Sequence, residues 1–270
     1  MAIVPRPVPG SYDEALFDFI VESEGFVSRV YTDHRGIPTL GLGYALFVDA
    51  PGWPDRDGLD DDLTAIGVSL TDGDRALLGK LRQALVRGAV TEAKALVPPF
   101  SFGEDSGQRN VLSFLISRDQ GRRLFERIRA DYEGVLRQRL GGGLMQALEG
   151  SQELMVLFSL CYNSPALIGP GLTAALREGR REKAWYEIRF GSNRERHKGL
   201  QNRRDKEAKV FGALNADPSD AERRALGTLI EERRNRMSDY LAGVGLGSGE
   251  IQSVLAGLEA EAAGRGTRFA

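Results

Sequence analysis

Residues 151–162 read SQELMVLFSLCY, and no other stretch restricts the fold as strongly. A helix that is apolar nearly all round has no face to give to water, so it belongs at the centre of a domain with other helices wrapped around it. Asn163-Ser164-Pro165 ends it at the edge of that core. The chain carries the wrapping helices. Thr71 with Asp74 marks a helix start, and Leu77, Leu78, Leu81, Leu85 and Val86 follow at helical spacing until Gly88. A short helix over Glu92–Leu96 is stopped by Pro98-Pro99. Ser117 with Gln120 forms a capping box ahead of Leu124, Phe125, Ile128, Tyr132, Val135 and Leu136, and Gly141-Gly142-Gly143 breaks that helix. Ser219 with Glu222 opens another, whose Leu226, Leu229, Ile230, Met237, Tyr240 and Leu241 form one stripe. Gly243–Gly249 is a break, and Ile251, Val254, Leu255 and Leu258 make a last helix. A chain of 270 residues can hide roughly 70–75% of its unfolded surface, enough for this body.

Near the N-terminus the pattern changes from helix to strand. Ser11 and Glu14 form a capping box, Leu16, Phe17, Phe19, Ile20 and Val21 form a broad apolar stripe, and Glu24 falls near the helix end. After Gly25, residues Val27, Val30, Tyr31, Thr39 and Leu40 favour strand, with Asp33-His34-Arg35-Gly36 as the turn of a small hairpin. A helix end feeding a hairpin can aim Glu24, Asp33 and Thr39 into one cleft. Such a set suits glycoside hydrolysis: one acid protonates the leaving oxygen, and the group across the sugar activates water. Thr39 can hold that water, because a hydroxyl both donates and accepts. Taken singly, a Glu at a helix end and an Asp in a turn are ordinary solvated residues; their joint spacing is what points to a site.

The same residues carry a family resemblance. Glu24-Gly25, then Tyr31-x-Asp33-x-x-Gly36-x-x-Thr39-x-Gly41-x-Gly43, resembles the catalytic signature of the phage-type lysozymes. Gly36-Ile37-Pro38-Thr39 is closer to the branch with pesticin and the lysozyme-type secreted effectors. Tyr44 departs from the histidine of many phage members, with an expected effect on stability rather than chemistry. The resemblance implies an α+β, mainly α fold: a lysozyme-like β-hairpin subdomain beside a helical body, with extra helices in an insertion and at the C-terminus. The resemblance covers a catalytic domain over 11–214 with a helical insertion over 45–115; residues 1–10, with three prolines and no periodicity, read as an extended arm, and 215–270, mostly beyond the resemblance, as a helical extension. Glu24 would be the general acid, with Asp33 and Thr39 positioning water in an inverting reaction. Tyr31, Gly41 and Asn163 would contact substrate, although Asn163 reads equally as a helix cap. Asn202 and Arg203 match a pair that supports the catalytic acid, with Arg204 the alternative.

Other features bound the function. The apolar fraction (41%) and charged fraction (27%) are those of an ordinary globular chain, and a formal charge of -2 gives no global pull toward nucleic acid or membrane. No run approaches the ~18 apolar residues of a membrane span, and MAIVPRPVPG lacks the basic start and apolar stretch of a signal peptide. The expectation is a chain made in the cytoplasm that acts on peptidoglycan in the periplasm of a target or host cell. The single cysteine, Cys161, excludes an internal disulfide and reads as a core residue rather than a nucleophile paired with His197. No metal-ligand spacing and no cofactor motif is present. Asp55-Arg56-Asp57-Gly58 lacks the spacing and terminal Glu of a calcium loop and reads as a solvated loop. Trp53, Phe100 and Phe102 in the insertion read first as local packing and second as a glycan wall. Trp185, Tyr186, Ile188 and Phe190 resemble the tryptophan-bearing segment beside the phage-lysozyme cleft. Residues 177–209 hold twelve Lys/Arg against six Asp/Glu, a basic wall suited to anionic stem peptides, without any nucleic-acid motif.

The expected activity is therefore a muramidase cutting the β-1,4 bond between N-acetylmuramic acid and N-acetylglucosamine, as an antibacterial effector or phage endolysin. A non-catalytic peptidoglycan-binding module on the same fold is the alternative, and another N-acetylglucosamine polymer is the alternative substrate. The expected partners are peptidoglycan and, for an effector, an immunity protein or secretion-system component. The chain is expected to act as a monomer, without nucleic acid or stable membrane insertion.

Overall fold

The computed structural model describes residues 3–100, 110–193 and 198–265. It is mainly helical, with one small antiparallel sheet. The chain forms two compact units: residues 16–131, and residues 1–15 with 132–270. The boundaries fall inside helices α1 (Tyr12–Glu24) and α5 (Arg118–Leu140). The 215–270 segment expected as an extension lies within the second of these units.

In the unit of 16–131, α1 leads into strands β1 (Val27–Thr32), β2 (Pro38–Gly41) and β3 (Tyr44–Ala45), hydrogen-bonded in that order. Tyr31 pairs with Thr39 and Thr32 with Pro38, while the register slips between Val27 and Tyr31. β3, two residues long, adds a strand where the sequence shows only an apolar run. Helices α2 (Leu59–Ala65), α3 (Asp72–Val86) and α4 (Val90–Leu96) follow. Tyr44 is a structural tie: it is buried, its hydroxyl donates to Asp62 (2.7 Å), and the Arg56 guanidinium lies over its ring. The Thr71–Asp74 capping box starts α3. Asp74 also accepts from the Ser113 N–H (2.8 Å) and hydroxyl (2.5 Å). Leu16, Ile20, Val30, Leu40, Leu46, Phe47, Leu81 and Leu124 fill this core, and Phe17 meets Phe125 edge-on at 5.9 Å.

In the other unit, α6 (Gly142–Ala147) restarts within the glycine run expected to be only a break. Then comes α7 (Gln152–Asn163), capped by Ser151 and buried from Glu153 to Cys161. α8 (Pro170–Arg177), α9 (Arg181–Tyr186), a π-turn over Glu187–Gly191, α10 (Lys198–Phe211), α11 (Asp220–Gly243) and α12 (Ser248–Ala262) follow. α10 packs on α7, while α11 packs on α9 and on α12. All six expected stripe residues of α11 are buried. The N-terminal arm is pinned to this unit. Arg6 donates through its backbone N–H (2.9 Å) and Nε (3.0 Å) to Glu153, and through Nη2 to the carbonyls of Val210 and Phe211 at the end of α10. Among the described residues no helix is long and apolar enough to cross a membrane.

Candidate functional site

α1 stops at Glu24 because Gly25 takes a left-handed conformation (φ 77°) as its N–H reaches the Val21 carbonyl (2.8 Å). Glycine adopts that geometry without steric cost and is the usual residue just past a helix end. Glu24 is left half-buried at the last position of the helix. Phe26, just beyond, packs against Gly121 of α5: a Cβ there would stand 2.2 Å from Phe26 Cε2, so the ring's seat requires glycine.

The hairpin turn is organised by Asp33. Its Oδ1 accepts from the backbone N–H of Arg35 (2.8 Å) and of Ile37 (2.8 Å), while its own N–H donates to the Ile37 carbonyl (3.0 Å). Both side-chain bonds fall on one oxygen and fix the carboxylate's direction. Thr39 is buried (5% exposed), and its hydroxyl donates to the Ile37 carbonyl (3.0 Å), leaving the oxygen's lone pairs as acceptors. Gly41 (φ 63°) sits against Ile116 and Phe26.

The Tyr31 hydroxyl feels both carboxylates. Burial raises its hydroxyl's pKa most, and the charges of Glu24 and then Asp33 push it further above the ordinary tyrosine value, against the lowering effect of Arg29. Glu24 from a helix end and Asp33 from a turn therefore both lie within electrostatic reach of one half-buried hydroxyl, which keeps its proton at neutral pH. On its other side the Tyr31 ring meets Phe100 at 5.8 Å. Phe100 is held there because the segment before it runs along β1. The Thr32 hydroxyl donates to the Val97 carbonyl (2.8 Å), and the Arg29 guanidinium to the carbonyls of Pro98 (3.2 Å) and Pro99 (3.3 Å). Phe102 and His197 lie outside the described residues.

Asn163, Arg203 and Arg204 meet in the unit of 1–15 with 132–270, around a residue that the sequence reading missed. Glu207 of α10 is fully buried. It accepts from the Ser159 hydroxyl (2.6 Å) and Arg203 Nε (3.2 Å), and Arg204 Nη1 stands 2.7 Å away as an ion pair off the line of a hydrogen bond. Arg204, itself 0% exposed, donates to Asn163 Oδ1 (2.8 Å). Asn202 is exposed. The available signal for Glu207 was its place three and four residues after two arginines on an apolar helix face. A second buried acid, Glu153, accepts from Arg181 Nη2 (2.6 Å) as well as from Arg6. Cys161 is buried, and burial pushes its thiol up to about 11, the reverse of an activated nucleophile. Among the described residues no group of three or more His, Cys, Asp or Glu side chains is placed to hold a metal.

No known protein family, curated protein or solved structure matches the chain.

Proposed function

We propose that the chain is a peptidoglycan hydrolase of the muramidase type, built on a lysozyme-like plan of hairpin and helical body. What supports the reading is that Glu24 and Asp33, from two different elements, both lie within electrostatic reach of the Tyr31 hydroxyl, with Asp33 oriented by the backbone N–H groups of Arg35 and Ile37. In the proposed reaction Glu24 gives its proton to the glycosidic oxygen as the bond to the anomeric carbon breaks. Asp33 takes a proton from the water that attacks that carbon from the opposite face. With both Asp33 bonds on Oδ1, Oδ2 is the oxygen offered to water. The Thr39 lone pairs accept a hydrogen bond from the water's other hydrogen, which stays on the product hydroxyl. The inverting version requires roughly 6.5–9.5 Å between the carboxyl groups, to leave room for that water.

The test is release of reducing ends from purified peptidoglycan, with muropeptide analysis of the products. Glu24→Gln preserves shape and removes the transferable proton, so it should abolish release; full activity in that variant sinks the assignment. The burial of Thr39 favours the second reading, a wall-binding module without catalysis. Under that reading the native chain binds sacculi but frees no reducing sugar.

A further inference from the structure

Among the described residues Trp53 is the one non-glycine residue with positive φ (48°). For a bulky side chain this is a costly backbone state that persists only where its surroundings over-determine it. The surroundings do so here. The Trp53 N–H donates to the Ala50 carbonyl (2.9 Å), Val48 N–H to the Pro54 carbonyl (2.9 Å), and Arg56 N–H to the Leu46 carbonyl (2.8 Å), closing the loop across its base. Arg82 Nε clamps the Trp53 carbonyl (2.9 Å) while its Nη2 pairs with Asp55.

Core packing does not repay that cost, because the indole stays half-exposed; the other tryptophan, Trp185, is only 4% exposed. What the strain achieves is position. The Arg35 guanidinium lies 5.8 Å from the Trp53 ring centroid and pairs with Asp49 (2.6 Å), and the Arg35 N–H is one of the two donors that orient Asp33. The indole thus stands beside the turn that carries one of the two proposed reacting carboxylates. One face of the indole carries the Arg35 guanidinium, whose partner is Asp49, while Arg82 and its partner Asp55 hold the loop at the Trp53 carbonyl. A pyranose ring has the matching chemistry: a face of C–H groups, weakly positive, for the negative face of the indole, and hydroxyls around the edge.

We infer that Trp53 is the stacking platform of a sugar subsite flanking the Asp33 turn, and that its occupant is an uncharged N-acetylglucosamine unit of the glycan strand. With Asp49 paired to Arg35 and Asp55 to Arg82, the charges around the indole are balanced, which suits an uncharged ring. The inference rests on the hydrolase reading for its polymer, but its test does not need turnover.

The probe is chitotetraose, the uncharged tetramer of N-acetylglucosamine, titrated into the full-length Glu24→Gln chain. Trp185 is only 4% exposed, so a ligand-induced change in tryptophan emission reports chiefly on Trp53. We expect a saturable blue shift, and calorimetry should give at least tenfold weaker binding when Trp53→Gly is added. Glycine accepts positive φ freely, so the second variant should melt no lower than its parent, which separates lost binding from lost folding. Tetramer binding without an emission change, binding within twofold in Trp53→Gly, or no binding to Glu24→Gln overturns the subsite. Native chain that frees no reducing sugar, while Glu24→Gln still binds through Trp53, leaves the subsite standing and removes the hydrolase.

Discussion

Replacing Glu153 by Gln should be among the most damaging single changes away from the hairpin. Glu153 is 0% exposed and accepts three bonds: Arg6 N–H on Oε2, and Arg6 Nε and Arg181 Nη2 on Oε1. An amide offers one oxygen where the carboxylate offered two, so its NH2 must confront either the Arg6 backbone donor or the guanidinium pair. Arg181 is itself only 3% exposed and would keep its charge without a counter-ion. Breaking one side of a buried pair costs ~3–5 kcal/mol. At ~2–4 °C per kcal/mol for a body of this size, the melting midpoint should fall by ~6–20 °C at pH 7. Burial pushes the Glu153 carboxyl up, but the Arg181 charge and the Arg6 N–H outweigh it, so the folded value lies below the ordinary one. A depressed folded pKa gives stability that is fully present above the unfolded value, about 4.3, and is lost as pH falls through the folded one. The gap between native and Glu153→Gln melting curves should therefore narrow steadily below about pH 4.3. Replacing Glu153→Met with Arg181→Met removes the more deeply buried of the two stranded charges but leaves the partly exposed Arg6 without its carboxylate, so it should recover part of the loss. A midpoint change under about 2 °C at pH 7, or a gap that stays constant into acid, refutes the reasoning.

Three further outcomes are expected. Gly121→Ala drives a methyl into Phe26, and urea unfolding should show a loss of ~1–3 kcal/mol that shrinks when Phe26→Leu is added. Asp33→Asn keeps the oxygen that accepts from Arg35 and Ile37, so circular dichroism should show an unchanged fold while sugar release drops by ~10²–10⁴. The Cys161 thiol, buried and pushed up to about 11, should resist a disulfide-exchange reagent in the native chain and react at once in denaturant.

The parts of this fold that were legible are those fixed by neighbours in sequence. Gly25 ends α1, Thr71 and Asp74 cap α3, and the uninterrupted apolar run becomes α7, because each depends on bonds or periodicity spanning a few residues. Where distant partners decide, the sequence is silent. Nothing near Arg6 announces that it will bind an acid 147 positions away. The glycines at 141–143 break one helix, but only the geometry after the break makes Gly142 the start of α6. At the candidate site, Glu24 and Asp33 were readable as a spaced pair and Tyr31 as part of the same hairpin motif. That Phe100 would stand against Tyr31 was not readable, since it depends on Arg29 and Thr32 gripping the backbone of Val97–Pro99.

How the fold disposes of its acids bears on which of them can do chemistry. Glu153 and Glu207 are fully buried and engaged by guanidinium groups. Asp74 is buried and accepts from Thr71 and Ser113 through both backbone and hydroxyl. Asp62 is occupied by Tyr44. These carboxylates cannot give or take a proton without breaking the bonds that hold their elements together. Glu24 and Asp33 are instead half-exposed, Glu24 at a helix terminus and Asp33 in a turn whose backbone donors fall on a single oxygen and leave Oδ2 outside those bonds. A carboxylate oriented by the main chain keeps its direction whether or not it carries a proton, which a reacting acid requires and a structural one does not. That distinction also says where substitution should be silent. Asp119 on α5 is exposed and, among the described residues, paired with Arg122 and Arg123 of its own helix. Asp119→Asn should therefore leave the melting midpoint indistinguishable from that of the native chain and leave sugar release intact. A collapse of activity there would mean that exposure and backbone orientation do not separate reacting acids from structural ones in this chain.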